Sequence, residues 1–209
     1  MYLSRLILNT WSRSVQRDIG SPREMHRTVL RGFPDDLAQD QERVLYRLDQ
    51  MERGNLLYLL VQSQQPPDWT GLDADYLAQN AVENPVVKQV DLDFSRGQRL
   101  AFRLRANPTK RLGKSAESNE GKRVGLYRVD EQIQWLNRKA QAGGFVVESV
   151  LPTQQQRTDD RKRNLKFFSV QFDGILQVTE PSLLQQTLDQ GVGSGKAFGF
   201  GLLSVAPAS

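Results

Sequence analysis

With 209 residues the chain has room for one large core or two small ones; it holds one histidine and no cysteine, which excludes disulfides, thiol nucleophiles and cysteine-based zinc sites. Its 28 Lys/Arg against 24 Asp/Glu leave a modest net charge of +4, and no stretch of 18 apolar residues offers a membrane-spanning helix. The opening MYLSRLILNTWSR is too polar for a signal peptide, so a soluble, cytoplasmic protein with no membrane partner is expected.

In chain order, YLSRLIL (2–8) predicts a strand, and a helix is expected from Ser21, where Ser21 as N-cap, Pro22 at the first helical position and Glu24 form a capping box. RVLYRLD (43–49) and NLLYLLVQS (55–63) read as strands joined by a hairpin-like turn at QMERG. A helix over about 72–81 and a strand VVKQVDLDF (86–94) complete a β-α-β-β-α-β order.

The second half repeats that order. QRLAFRLRA (98–106) alternates as a strand, a polar basic stretch follows, and VDEQIQWLNRKAQAGG (129–144) reads as a helix, with Ile133, Leu136 and Ala140 at helical spacing and glycines at its end. FVVESVL (145–151) and LKFFSVQFDGILQV (165–178) are strands separated by a long polar loop, PSLLQQTLDQ is a helix, and GLLSVA (201–206) a closing strand. The predicted fold class is therefore α+β, with two tandem ferredoxin-like (RRM-like) βαββαβ domains, 1–95 and 96–209, meeting near Ser95-Arg96-Gly97.

Charge is unevenly spread along the chain. Residues 96–128 carry ten Lys/Arg against Glu117 and Glu120, and RTDDRKRNLK (157–166) carries five cations against Asp159 and Asp160, whereas 35–42 and 68–93 are acidic. Such asymmetry is the electrostatic footprint of a polyanionic ligand. AFRLRAN lacks the aromatic-rich RNP1 pattern, so stacking of bases on the sheet is not expected, and the 152–164 loop reads instead as a basic hairpin tip able to follow phosphates.

GVGSGKAFGFG (191–201) raises the possibility of a phosphate cradle, and the spacing rejects the nucleotide versions of it. A P-loop would need glycine where Gln190 stands and a hydroxyl where Ala197 stands, while G-x-G-x-x-G would need glycine at Lys196. A tight turn after a helix, with glycines supplying positive φ, is the plainer reading.

The single histidine, His26, falls within an apolar arc of Met25, Val29, Leu30 and Phe33, beside a stripe of Arg23, Arg27 and Arg31. The arc alone favours a partly buried core residue, and the arginines keep a functional role open. Asp91 and Asp93 share one face of the 86–94 strand, where an acidic edge facing water is the simpler account than a Mg²⁺ site. No G-x-S-x-G elbow occurs. Were the polyanion RNA, its 2′-hydroxyl would supply the nucleophile, and one histidine with flanking arginines would suffice without a metal.

MYLSRLILN, SPREMHRTVLRGFP, FRLRANPTK (102–110), GKRVGLY (121–127), EQIQWLNRK (131–139) and GVGSGKAFGFGLLSVAP (191–207) together resemble the CasE family, the CRISPR RNA-processing endoribonuclease of the type I-E Cascade complex. The resemblance runs in order through the whole chain. It implies metal-independent, cofactor-free cleavage at the 3′ base of CRISPR repeat RNA hairpins, leaving a 5′-hydroxyl and a 2′,3′-cyclic phosphate, and retention of the product with other Cascade subunits. A non-catalytic hairpin-binding scaffold of the same complex is the alternative. His26 matches the family's catalytic histidine, with Arg23, Arg27 and Arg31 as electrostatic helpers. Family members often carry tyrosine where Arg23 stands, and arginine is a poor proton donor at neutral pH. Phosphate contact is expected from Arg103, Arg105, Lys110, Lys122, Arg123, Arg157, Arg161, Lys162, Arg163 and Lys196, with close approach of RNA backbone allowed at Gly191, Gly193 and Gly195.

Overall fold

The computed structural model describes residues 1–34, 43–51, 56–79, 83–112, 123–160 and 165–208, with the side chains at 154, 156–160 and 165–167 outside that description. Packing divides the chain into two compact units: Met1–Leu92 with Lys196–Leu202, and Asp93–Gly195 with Leu203–Ser209. Lys196–Leu202 thus packs with the first unit rather than with the rest of 96–209.

In the first unit, β1 (Tyr2–Ile7), β2 (Leu45–Gln50), β3 (Leu57–Ser63) and β4 (Val86–Gln89) form an antiparallel sheet of order β2-β3-β1-β4. That is the strand order of a ferredoxin-like domain, and it follows from alternation. Leu6 pairs with Leu59, and Ser4 with Val61, so one face presents Leu6, Tyr46, Leu59 and Val61 to the core. Two helices, α1 (Arg13–Gly20) and α2 (Pro22–Leu30), add Val15, Met25 and Val29 to it.

Four expectations for this half need correction. The helix predicted to begin at Ser21 is preceded by α1, which the sequence reading passed over. The capping box is half made: Ser21 Oγ accepts from the Glu24 N–H at 3.5 Å, while the Glu24 carboxylate turns outward to pair with Arg27. Residues 72–79, expected as helix, are turns. Just before them Asp68 accepts from both the N–H and the hydroxyl of Thr70, a local bond that competes with a helical ladder, and Trp69 and Tyr76 are drawn into the core. β4 also stops at Gln89, so Asp91 and Asp93 do not share a strand face.

The second unit holds β5 (Arg99–Ala106), β8 (Phe145–Asp160), β9 (Leu165–Val178) and β10 (Leu203–Pro207) in the order β10-β5-β9-β8, again ferredoxin-like. Leu100, Phe102, Leu104 and Ala106 of β5 are buried, and the arginines alternate onto the other face. Two helices, α3 (Val129–Ala142) and α4 (Pro181–Gln190), bring Trp135, Leu136, Ala140, Leu184 and Leu188 inward. The buried face of α3 is centred on Trp135 and Leu136, with Ile133 only half-buried.

The long polar loop expected after 151 is strand as far as Asp160, because β8 keeps pairing with β9 through irregularities at Val147/Ser149 and Thr153/Gln156. The polar stretch after β5 contains a short two-stranded ribbon, β6 (Thr109–Arg111) with β7 (Arg123–Gly125). No helix among the described residues is long and apolar enough to cross a membrane.

Candidate functional site

His26 sits on α2 between two kinds of surface. One turn of that helix sends Met25, Thr28 and Val29 inward, while Arg23 and Arg27 stay exposed and His26 lies half-buried on the border. Its Nδ1 is shut off from solvent with no hydrogen-bond partner among the described residues. Burial pushes the imidazole pKa below its ordinary value near 6.5, because a proton on the ring would place charge where nothing compensates it. The neutral, proton-accepting ring is therefore the form present at neutral pH.

The histidine is backed by Tyr46 of β2, a residue that the sequence reading did not single out. The two rings lie nearly parallel, 19° apart with centroids at 6.0 Å. Tyr46 is itself buried, and its hydroxyl lies 3.1 Å from the Pro22 carbonyl and 2.9 Å from that of Ala197, tying the start of α2 to the short 3-10 turn Lys196–Phe198. Burial and the nearby Asp18 carboxylate push the phenol well above its ordinary range, so it acts as a fixed hydrogen-bond donor and not as a source of protons. Gly199, at φ +79°, completes the support, since a Cβ there would stand 3.1 Å from the Tyr46 ring. Only the folded chain brings residues 26, 46 and 199 together.

The three arginines on and after α2 are not equivalent. Arg27 pairs with Glu24, and Arg31 donates to the Gly71 carbonyl and lies 3.6 Å from Asp73. The Arg23 side chain has no such partner among the described residues, which makes it the cation beside His26 that is open to an incoming anion.

The expected phosphate contacts divide in a similar way. Arg103 pairs with Asp173 at 2.6 Å, Lys110 with Glu131 at 2.8 Å, and Arg105 donates to Ser169. Arg123 and Gly193 line a cleft of about 320 Å³ in the second unit, together with Arg111, Arg138 and Lys139, which the sequence reading left out. Arg111 was visible there only as one more charge in a basic run. Lys196 lies in the 3-10 turn of the first unit. The Arg157 backbone belongs to β8 but its side chain, like Lys122, Arg161, Lys162 and Arg163, lies outside the described residues.

The sequence profile of the CRISPR-associated protein family matches residues 1–207. The chain belongs to this family. Within it, the chain is 38% identical to CRISPR-associated endoribonuclease Cse3 of Thermus thermophilus, covering 99% of this chain and 100% of that protein. It is 32% identical to the Cascade subunit CasE of Escherichia coli, again over 99% and 100%. The solved structure of T. thermophilus Cse3 bound to an RNA representing a pre-cleavage complex superposes with a TM-score of 0.86 at 40% identity, covering 99% and 98% of the two chains. The whole-chain resemblance drawn from the six sequence strings is thus the correct one.

For this CasE-family chain the glycine stretch supports two aromatic rings, Tyr46 through Gly199 and Trp135 through Gly193. Gly193, at φ +80°, passes so close to the indole of Trp135 that a Cβ would lie 2.9 Å from it. Its positive φ thus serves packing against Trp135. Gly193→Ala is accordingly expected to cost about 1–3 kcal/mol of stability through backbone strain and the Trp135 clash. Thermal melting checks this, and an unchanged Tm would contradict it.

Proposed function

We propose that this chain is a site-specific endoribonuclease that cuts precursor CRISPR RNA at the base of the repeat hairpin and stays bound to the product as a Cascade subunit. The observation that carries the reading is a neutral, half-buried His26, braced by Tyr46, with Arg23, which has no ion-pair partner among the described residues, one turn away. The full-length likeness to Cse3 and CasE supports the choice of substrate.

In this mechanism His26 accepts the proton of the 2′-hydroxyl as O2′ forms its bond to the adjacent phosphorus. The P–O5′ bond breaks, the 5′-oxygen leaves and takes a proton from solvent water to become a hydroxyl, the phosphate closes as a 2′,3′-cyclic diester, and the protonated His26 returns its proton to water. Arg23 offsets the negative charge that builds on the phosphoryl oxygens. Arg27 and Arg31, held by carboxylates, act by keeping α2 and its surroundings in place. No metal or cofactor takes part in these steps.

Incubation with a synthetic repeat RNA in excess EDTA tests the proposal. The expected result is a single cut whose upstream product carries a cyclic phosphate, seen as an acid-dependent mobility shift on a gel. Tight binding with no cut would instead favour the scaffold reading.

A further inference from the structure

Among the described residues two carboxylates are buried, Asp18 and Asp49. Asp49 answers the equally buried Arg47, but Asp18 lies on the inward side of α1 with Val15, and the cation that reaches it, Arg17, keeps 46% of its side chain exposed. A leucine there would fill the space at lower cost, because taking a carboxylate out of water is expensive and a half-exposed partner repays little of it. The charge calls for a use other than packing.

What Asp18 holds is a second buried group. The Tyr76 hydroxyl donates to Asp18 Oδ2 at 2.9 Å, and Arg17 Nε donates to Oδ1 at 2.9 Å, so each carboxylate oxygen has its own donor. Tyr76 is fully buried, and the tip of its ring reaches both helices of the first unit: the same hydroxyl lies 3.7 Å from the sulfur of Met25, the residue before His26. Burial and the adjoining carboxylate push this phenol far above its ordinary range, so it keeps its proton and the bond keeps its direction. Asp18 also acts through its main chain, since its carbonyl accepts at 3.2 Å from the N–H of Ser21, the N-cap of α2.

The turns that carry Tyr76 grip the far end of α2 as well. Arg31, just past the last turn of that helix, donates to the Gly71 carbonyl and lies 3.6 Å from Asp73. The stretch is itself anchored, with the Asn9 N–H donating to the Tyr76 carbonyl at 2.9 Å and the Tyr76 N–H to that of Asp73 at 2.8 Å. From β2, the Tyr46 hydroxyl holds the Pro22 carbonyl at 3.1 Å. Two buried phenols from distant parts of the chain thus locate the first turns of α2, where His26 stands.

We propose that Asp18 and Tyr76 are positioning residues for RNA cleavage: the buried carboxylate aims the Tyr76 hydroxyl at the junction of α1 and α2, and this tie sets where α2 presents the His26 ring to the 2′-hydroxyl. The proposal rests on the reading of His26 as the general base. Both side chains are closed to RNA by burial, so their role is geometric. A proton acceptor displaced by about 1 Å loses up to about a hundredfold in rate, so a lost tie should show in the cleavage step and not in binding.

Single-turnover cleavage of repeat RNA by the full chain, with filter binding and thermal melting alongside, provides the test. Tyr76→Phe keeps the ring and removes one oxygen; it is expected to cleave at least about tenfold more slowly, with RNA affinity within about twofold of wild type. Asp18→Leu gives the same loss, and Asp18→Asn, which keeps an oxygen for the phenol to donate to, restores most of the rate. The double variant Asp18→Leu/Tyr76→Phe removes both polar groups, so its Tm exceeds that of either single change while its cleavage stays slow.

A wild-type rate in Tyr76→Phe overturns the proposal. So does a double variant whose rate recovers together with its Tm, because stability alone would then explain the loss. Equal rates in Asp18→Asn and Asp18→Leu overturn it too, since the acceptor oxygen would not matter. Should the single variants melt too low to assay, the double variant carries the test. In all these cases wild type still cuts RNA and the endoribonuclease reading stands; failure of wild type to cut overturns both.

Discussion

His26→Ala is expected to lower single-turnover cleavage of repeat RNA by about 10²–10⁴-fold, the usual worth of a positioned general base, while RNA affinity changes only slightly. The argument rests on the setting of the ring. Nδ1 is closed off, Tyr46 lies behind the imidazole, and burial holds the pKa below about 6.5. Accordingly kcat/KM should rise with pH along a limb whose midpoint lies below that value and level off by neutrality. The limb in kcat, which reports the RNA complex, should lie higher, because neighbouring phosphates favour the protonated ring. A variant that loses binding and cleavage in equal measure would show His26 to be structural. The same depressed pKa fixes a sign for stability: the native state disfavours the proton, so this contribution is present above about pH 6.5 and is lost as pH falls through the lower, folded-state value.

Asp49→Ala should be the most destabilising single change in the first unit, by about 3–5 kcal/mol, or roughly 6–20 °C in Tm. Arg47 and Asp49 lie two residues apart on one face of β2, and both side chains are only 3% exposed. The Arg47 Nε reaches both carboxylate oxygens at 2.8 Å, and a terminal nitrogen donates to the Leu202 carbonyl at 3.2 Å. Truncating the carboxylate breaks a buried, hydrogen-bonded ion pair, a larger loss than that of an exposed pair such as Arg128–Asp130. Replacing both partners, as in Arg47→Met/Asp49→Leu, should recover much of the stability. Thermal melting of the three proteins measures the difference. If the double variant melts no higher than Asp49→Ala, the buried charge is not the cause.

Most strands of the fold were legible along the chain because their signals are local. QRLAFRLRA alternates, and so β5 has one apolar and one basic face; Ser21-Pro22 marks the start of α2 within a residue. Where the reading failed, non-local packing had overridden it. The turns at 72–79 look helical until Trp69 and Tyr76 are seen to be needed in the core, and the polar 152–160 stretch is strand because β9 supplies a partner for its backbone.

The candidate site shows the same division. By itself the sequence determined which groups were available: one histidine, an arginine stripe beside it, a basic second half and a glycine stretch unsuited to nucleotides. Only the tertiary structure decided which of them could act. Arg27 and Arg103 carry the same charge as any other arginine, but Glu24 and Asp173 hold them in pairs, whereas Arg23 and Arg111 meet no carboxylate among the described residues. Tyr46 and Gly199 matter through what they touch, and a Cβ on Gly193 would meet Trp135. The physical reason is that residue type sets a group's chemistry, while burial and partners, which depend on residues distant along the chain, set whether that chemistry remains free to be used.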